Sequence, residues 1–424
     1  MTANHNRELD GTELRLDRFR SFTVAHPRLV EAKETLINAI RGAEPNSLIF
    51  VFGPTGVGKT TLRLKTEQLI TAELLSELHE DITRVPVVSV EAVAPESGSF
   101  NWRDHYKRLL HQLDEPLIDR KLNRQVERAF VEPSMRFMPT FRAVGTEYRY
   151  ALEQAIRYRR PVAVMIDEAQ HLGKISSGRR LLDQLDVVKS IANQTKTVHV
   201  LFGTYDLLAF RNLNGQLSRR SVDVHLARYR AEDSEDRQTF INVVQSFEKE
   251  LAFEDQSDLV SDWEFLYERS LGCVGILKEW LVRAATVASR KGARRLTRAN
   301  LESQALCVAQ CEQLYAETTD GELKLNERSE AVARLRGRLG LSTHATTEVD
   351  PTRPAPPVKR STKSRAVAST ANISTVDDQF ASGHEFGFVR GEIQDPVSDV
   401  IGFSHMSDRM QFIQLLPECL NSHR

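Results

Sequence analysis

An α/β protein is the fold class this sequence predicts: a parallel five-stranded sheet interleaved with helices, then a small helical domain, then a disordered C-terminal tail. Three observations predict it. A glycine-rich loop, Gly53–Pro54–Thr55–Gly56–Val57–Gly58–Lys59–Thr60, stands between a short apolar run and a stretch of helix formers. Further short apolar runs near residues 85–90, 161–168, 198–202 and 222–226 alternate with stretches of helical period. Beyond Leu341 the apolar residues give way to Pro, Ser, Thr and Ala.

The loop comes first. Leu48–Ile49–Phe50–Val51–Phe52 is apolar, short and bounded, as a strand buried on both faces should be. Thr61–Leu62–Arg63–Leu64–Lys65 has good helix formers and no breaker. That strand–loop–helix setting turns the pattern G-x-x-x-x-G-K-[ST] into a candidate phosphate site. Gly53, Gly56 and Gly58 let the backbone curl so that successive N–H groups point inward at phosphate oxygens. The helix N-terminus adds its partial positive charge. Lys59 reads as the bridge to the β- and γ-phosphates of ATP and the Thr60 hydroxyl as a Mg²⁺ ligand. Pro54, Thr55, Val57 and Thr61 complete the cradle.

Composition bounds the rest. A chain of 424 residues with 41% hydrophobic content holds two or three domains with real cores. The formal net charge is -1, so any affinity for nucleic acid must come from local patches. Cys273, Cys307, Cys311 and Cys419 form no C-x-x-C pair and read as buried thiols in a reducing compartment. Met1 to Glu8 lack the apolar core of a signal peptide, and no apolar run approaches the roughly twenty residues of a membrane span. A cytoplasmic protein with no membrane partner is expected.

Residues 1–20 are charged and expected to be flexible. Phe22 to Pro27 precede a helical pattern through Leu29, Ala32, Leu36 and Ile40, and either approach the adenine base or simply pack in the core. Val85–Val90 reads as a second strand, with Pro86 placing it at an edge or at its own start. Asn101–Trp102 opens a helix carrying Tyr106, Leu109, Leu110 and Leu113. Residues 117–142 carry a basic excess that includes Lys121, Arg124 and Arg128, either a DNA-facing surface or a solvated helix face.

Pro161–Glu168 is the second strong signal, an apolar strand ending in Asp167–Glu168. There the first carboxylate can hold Mg²⁺ and the second can deprotonate the attacking water. Val198–Phe202 ends at Gly203–Thr204, where Thr204 can position the same water. Arg219–Arg220 precede a fifth strand around Val222–Leu226. Residues 231–315 read as helices, with Leu277, Leu281, Ala284, Ala285 and Ala288 on one apolar face and Thr297 as a later N-cap.

In this order, the glycine-rich loop, Asn101–Trp102, Met165–Ile166–Asp167–Glu168–Ala169–Gln170–His171 and Leu201–Phe202–Gly203–Thr204 resemble an AAA+ ATPase over roughly residues 20–315. More narrowly, with Ala25–His26–Pro27, they resemble the transposition regulators of the TnsC, TniB and MuB group. The resemblance implies an ATPase that forms a ring or helical filament on double-stranded DNA, selects a target, and recruits or activates transposase subunits together with a target-selection protein. It also implies a neighbour's arginine reaching the γ-phosphate, matched here by Arg219 or Arg220, and a basic lid residue, matched by Lys278. Secretion-associated AAA+ ATPases, replication initiators and helicase loaders share much of the pattern and stay open as alternatives.

The expected organisation is therefore a flexible segment over residues 1–20, an ATPase domain over 21–230 and a helical lid with its extension over 231–341. A disordered basic linker over 342–377 and a tail over 378–424 follow, the tail either docking a partner or packing back on the ATPase core.

Overall fold

The computed structural model describes residues 15–95, 100–118, 141–173, 178–211, 221–251, 253, 255, 257–325 and 329–341. The linker and tail expected over residues 342–424 lie outside the described residues. The chain divides into two compact units, Met1–Arg328 and Ser329–Arg424.

In the first unit, β1 (Leu48–Phe52), β2 (Val87–Glu91), β3 (Ala163–Asp167), β4 (Val198–Gly203) and β5 (Ser221–His225) form one sheet in the order β2-β3-β4-β1-β5. Every pairing is parallel, so the fold class expected from the sequence is the one observed. β2 is an edge strand, and Pro86 stands just before it, where its carbonyl accepts from Val162 N–H. β1 is apolar along its whole length, and β3 and β4 depart from this only at Asp167, His199 and Gly203, because both faces of these strands are covered. Phe50, Phe52, Val164, Ile166 and Leu201 pack on one side; Ile49, Val51, Met165, Val200 and Phe202 pack on the other.

Residues 15–21 form α1, followed by α2 (Pro27–Gly42), α3 (Lys59–Glu73), α4 (Leu75–Glu80), α5 (Trp102–Gln112), α6 (Phe141–Arg159), α7 (Gly178–Thr195) and α8 (Leu207–Arg211). A 3₁₀ turn covers Ala169–Gly173, directly after β3. After β5 the described chain is helical: α9 (Ser234–Glu250), α10 (Trp263–Ser270), α11 (Val274–Arg290), α12 (Arg298–Gln304) and α13 (Val308–Leu325). In the second unit, α14 spans Ser329–Arg338.

Local chemistry accounts for the helix starts. Asn101 caps α5 by accepting from Asp104 N–H, and Thr297 and Asn300 form a reciprocal capping box on α12. His26 caps α2, its ring accepting from Leu29 N–H. The predicted apolar face of α11 is buried, from Leu277 through Ala288.

Two expectations are corrected. Order begins inside the segment expected to be flexible: Leu16 and Phe19 of α1 are buried among α9 and α11 side chains. Asp17, Arg18 and Arg20 on the other faces of α1 mask that apolar pair when charge is averaged over the segment. Among the described cysteines, Cys273 and Cys311 are buried but Cys307 is exposed.

Candidate functional site

The glycine-rich loop joins β1 to α3 at the carboxyl end of the sheet, where open α/β folds collect their ligands. Gly56 and Gly58 take φ of 71° and 113°, the left-handed conformation that lets consecutive N–H groups turn the same way. Lys59 opens α3 and is buried, its Nζ donating to the carbonyls of Gly53 (3.1 Å) and Pro54 (2.8 Å). Burial holds its ammonium below the usual lysine range, while Glu168, Cys273 and Asp167 oppose that shift. Thr60 is exposed at the start of α3.

β3 delivers the carboxylates. Asp167 is buried, with Oδ1 accepting from Glu168 N–H at 3.0 Å and Oδ2 from Arg63 Nε at 3.1 Å. Arg63 lies one turn along α3 from Lys59 and also pairs with Glu67 and Ser89. Glu168 turns the chain with φ 51°, left-handed for a residue that carries a Cβ. Its Oε2 accepts from Gln170 Nε2 at 2.6 Å.

Thr204, at the end of β4, donates its backbone N–H to Gln170 Oε1 at 3.2 Å. Its hydroxyl oxygen is buried with no hydrogen-bond partner. Such an orphaned group beside the start of the glycine-rich loop fits a bound nucleotide or a water held with it. The left-handed glycines, the lysine, the first-turn Thr60 and the buried Asp167 likewise fit a magnesium-bound triphosphate.

The helical part closes on the loop from above. Ile276 in the first turn of α11 donates its N–H to the Gly56 carbonyl at 3.1 Å. A Cβ on Gly275 would overlap that carbonyl oxygen, so the approach requires glycine here. Cys273, the N-cap of α11, is fully buried, and burial pushes its thiol up to about 12.

The sheet thus brings Lys59, Asp167, Glu168 and Thr204 to one end of neighbouring strands. Lys278 is on α11, but its Nζ donates to the Arg20 carbonyl at 2.7 Å, at the end of α1. Arg219, Arg220, Lys121, Arg124 and Arg128 lie outside the described residues.

Sequence reading misses Arg63 and Gln170 as members of the site. The signal for each is faint: Arg63 follows Lys59 by four residues on one helix face, and Gln170 follows Glu168 by two.

Residues 42–211 match the family model of the AAA domain. No curated protein matches the chain by sequence. Among solved structures, the ORC2 protein of Aeropyrum pernix in ADPNP–ADP complexes is similar at 16% identity and TM-score 0.44, covering 69% of this chain and 73% of that one. The ORC1 protein of Aeropyrum pernix in complex with DNA is similar at 19% identity and TM-score 0.43, covering 67% and 66%. Domain III of the Thermotoga maritima replication initiation protein DnaA is similar at 13% identity and TM-score 0.33, covering 71% and 95%.

Among the described residues no helix is long and apolar enough to cross a membrane, and no group of three or more His, Cys, Asp and Glu could hold a metal ion.

Proposed function

We propose that this chain is an ATPase that acts as a DNA-bound switch in transposition, assembling on duplex DNA, selecting the target and recruiting or activating the transposase. The observation that carries the ATPase reading is the meeting of Lys59, Asp167–Glu168 and Thr204 at the carboxyl ends of β1, β3 and β4. The AAA domain match over residues 42–211 supports it. The narrower role rests on the resemblance of the ordered motifs to transposition regulators.

In this reading, the backbone N–H groups of Gly56, Gly58 and Lys59 cradle the phosphates, and Lys59 leaves the Gly53 and Pro54 carbonyls for the β- and γ-phosphate oxygens. Thr60 and Asp167 would hold Mg²⁺, whose charge offsets that of the phosphates. Glu168 takes a proton from a water while the water oxygen attacks the γ-phosphorus. The bond from that phosphorus to the β–γ bridging oxygen breaks, leaving ADP and phosphate. Thr204 fixes the water through its unpartnered hydroxyl. Arg219 or Arg220 of a neighbouring copy completes the site, and Lys278 contacts the nucleotide once it leaves the Arg20 carbonyl.

DNA affinity is carried by phosphate contacts from residues such as Lys121, Arg124 and Arg128, and therefore falls steeply with salt.

The test combines turnover, DNA binding and transposition in one purified set. Glu168→Gln should bind ATP and duplex DNA yet lose turnover by a factor of about 10² or more, while Lys59→Ala should lose nucleotide binding. Wild-type protein with ATP should stimulate strand transfer by its cognate transposase on unrelated target duplexes. Hydrolysis by Glu168→Gln at the wild-type rate would remove the ATPase assignment. Helicase loading with no effect on strand transfer would replace the transposition role by the initiator role.

A further inference from the structure

We infer that Gln170 is a positioning residue that ties the Glu168 carboxylate to the end of β4 and sets how it acts on the attacking water. The inference rests on the reading of Glu168 as the base.

The chemistry of its two partners fixes the orientation of the Gln170 amide. Thr204 N–H can only donate, so the atom 3.2 Å away is the amide oxygen. The ionised Glu168 carboxylate can only accept, so the atom 2.6 Å from its Oε2 is the amide nitrogen. One side chain therefore joins the residue that closes β4 to the carboxylate that follows β3. Gln170 is 8% exposed, so water competes poorly for either bond.

The surroundings are shaped for this link. A Cβ on Gly203 would overlap Gln170 Oε1, so glycine at the last position of β4 leaves room for the amide. The 3₁₀ turn carrying Gln170 is anchored on its other side by His171, whose Nδ1 donates to the Ala92 carbonyl beyond β2 at 2.8 Å. His171 N–H also bonds back to the Glu168 carbonyl. The turn thus spans the ends of β2 and β4 across β3, and the left-handed backbone of Glu168 is held between these ties.

The donated hydrogen bond fixes where the Glu168 carboxylate points. Anything that moves the Thr204 backbone, such as a ligand on its free hydroxyl, is felt at Glu168 through a single amide. Glu168 then responds to occupancy at β4 without touching it.

The test replaces Gln170 with Leu, which keeps much of the volume and removes both bonds, and with Ala as a second variant in case Leu packs badly. Full-length protein is used throughout, with Glu168→Gln in parallel. Both Gln170 variants should bind a fluorescent ATP analogue with unchanged affinity and lose about tenfold in kcat at constant KM. Amide exchange in the segment Phe202–Tyr205 should quicken, since the Thr204 N–H loses its acceptor. An inactive Glu168→Gln beside Gln170 variants with wild-type kcat and unquickened amide exchange at Phe202–Tyr205 would overturn the positioning role. A fully active Glu168→Gln would instead overturn the base assignment, and this inference with it.

Discussion

Three buried histidines hold this fold in a state that acid should undo. His26 is buried against Tyr229, whose hydroxyl donates to its Nδ1 at 2.9 Å; burial, with the charge of Arg28 beside it, holds the ring at about 4. His105 on α5 and His199 on β4 are also pushed down to about 4, each first by burial. Both ring nitrogens of His105 lack partners, among Phe100 and Trp102. A folded pKa below the unfolded value near 6.5 means that the unfolded chain binds protons first. The stabilisation is complete above about pH 6.5 and is lost as pH falls towards 4. Between pH 7.5 and 5.5 the three rings together should remove about 4 kcal/mol. Urea unfolding at those two pH values measures it, and His105→Leu should remove about a third of the difference without lowering stability at pH 7.5. An unchanged unfolding free energy across that range would show that these rings are not buried neutral. The same scale shows what a sequence reveals and what it hides. Lys59, Asp167 and Glu168 are legible as candidates because the proposed nucleotide chemistry needs those residue types at fixed places on a loop and a strand end. His105 and Gln170 are not, because a histidine or glutamine gains its role only from what surrounds it in the fold.

At the scale of elements, the strands are legible almost to the residue. β1 spans the expected Leu48–Phe52, and β3 and β4 differ from expectation only at their ends. An apolar run buried on both faces has sharp edges in sequence because its ends are where burial stops. α1 is less legible, since two buried residues among charged ones carry too little pattern. The meeting of α11 with the glycine-rich loop is not legible in the sequence, because it depends on a close approach between distant segments. Gly275 is inside the first turn of α11. There it lets the Ile276 N–H reach the Gly56 carbonyl. Gly275→Ala should therefore push the two elements apart. Expected outcomes are a stability loss of about 1–3 kcal/mol and weaker ATP binding with the loop sequence intact. Calorimetric titration with an ATP analogue, together with thermal melting, checks both. Wild-type affinity in this variant would mean that α11 does not need to rest on the loop for the nucleotide to bind.

The whole first unit is tied together by a contact that no local pattern announces. Glu322, near the end of α13, accepts from Arg228 Nε at 3.1 Å and from Arg230 at 3.0 Å, in the segment that leaves β5. The Arg228 and Glu322 side chains are 7% and 8% exposed, so this pair is nearly dry. Arg228 also donates to the Tyr267 hydroxyl on α10 and lies over the Tyr315 ring of α13. One residue earlier on α13, Gly321 lies so close to Tyr205, the residue after Thr204, that a Cβ there would overlap its ring. The last turns of α13 therefore grip the sheet at the exits of both β4 and β5. The partners are 94 residues apart, a separation over which charge and spacing in a sequence say nothing. A buried pair need not outdo an apolar packing of the same shape, but removing one partner leaves the other charged and unsolvated. Glu322→Ala strands Arg228 between Tyr267 and Tyr315 and should cost about 3–5 kcal/mol. If the pair also couples the helical part to the sheet, scanning calorimetry should resolve two transitions in the variant where the wild-type unit gives one, with the sheet keeping its nucleotide-dependent shift. A single transition at the wild-type temperature would mean that the apolar contacts of α13 carry the union without this pair.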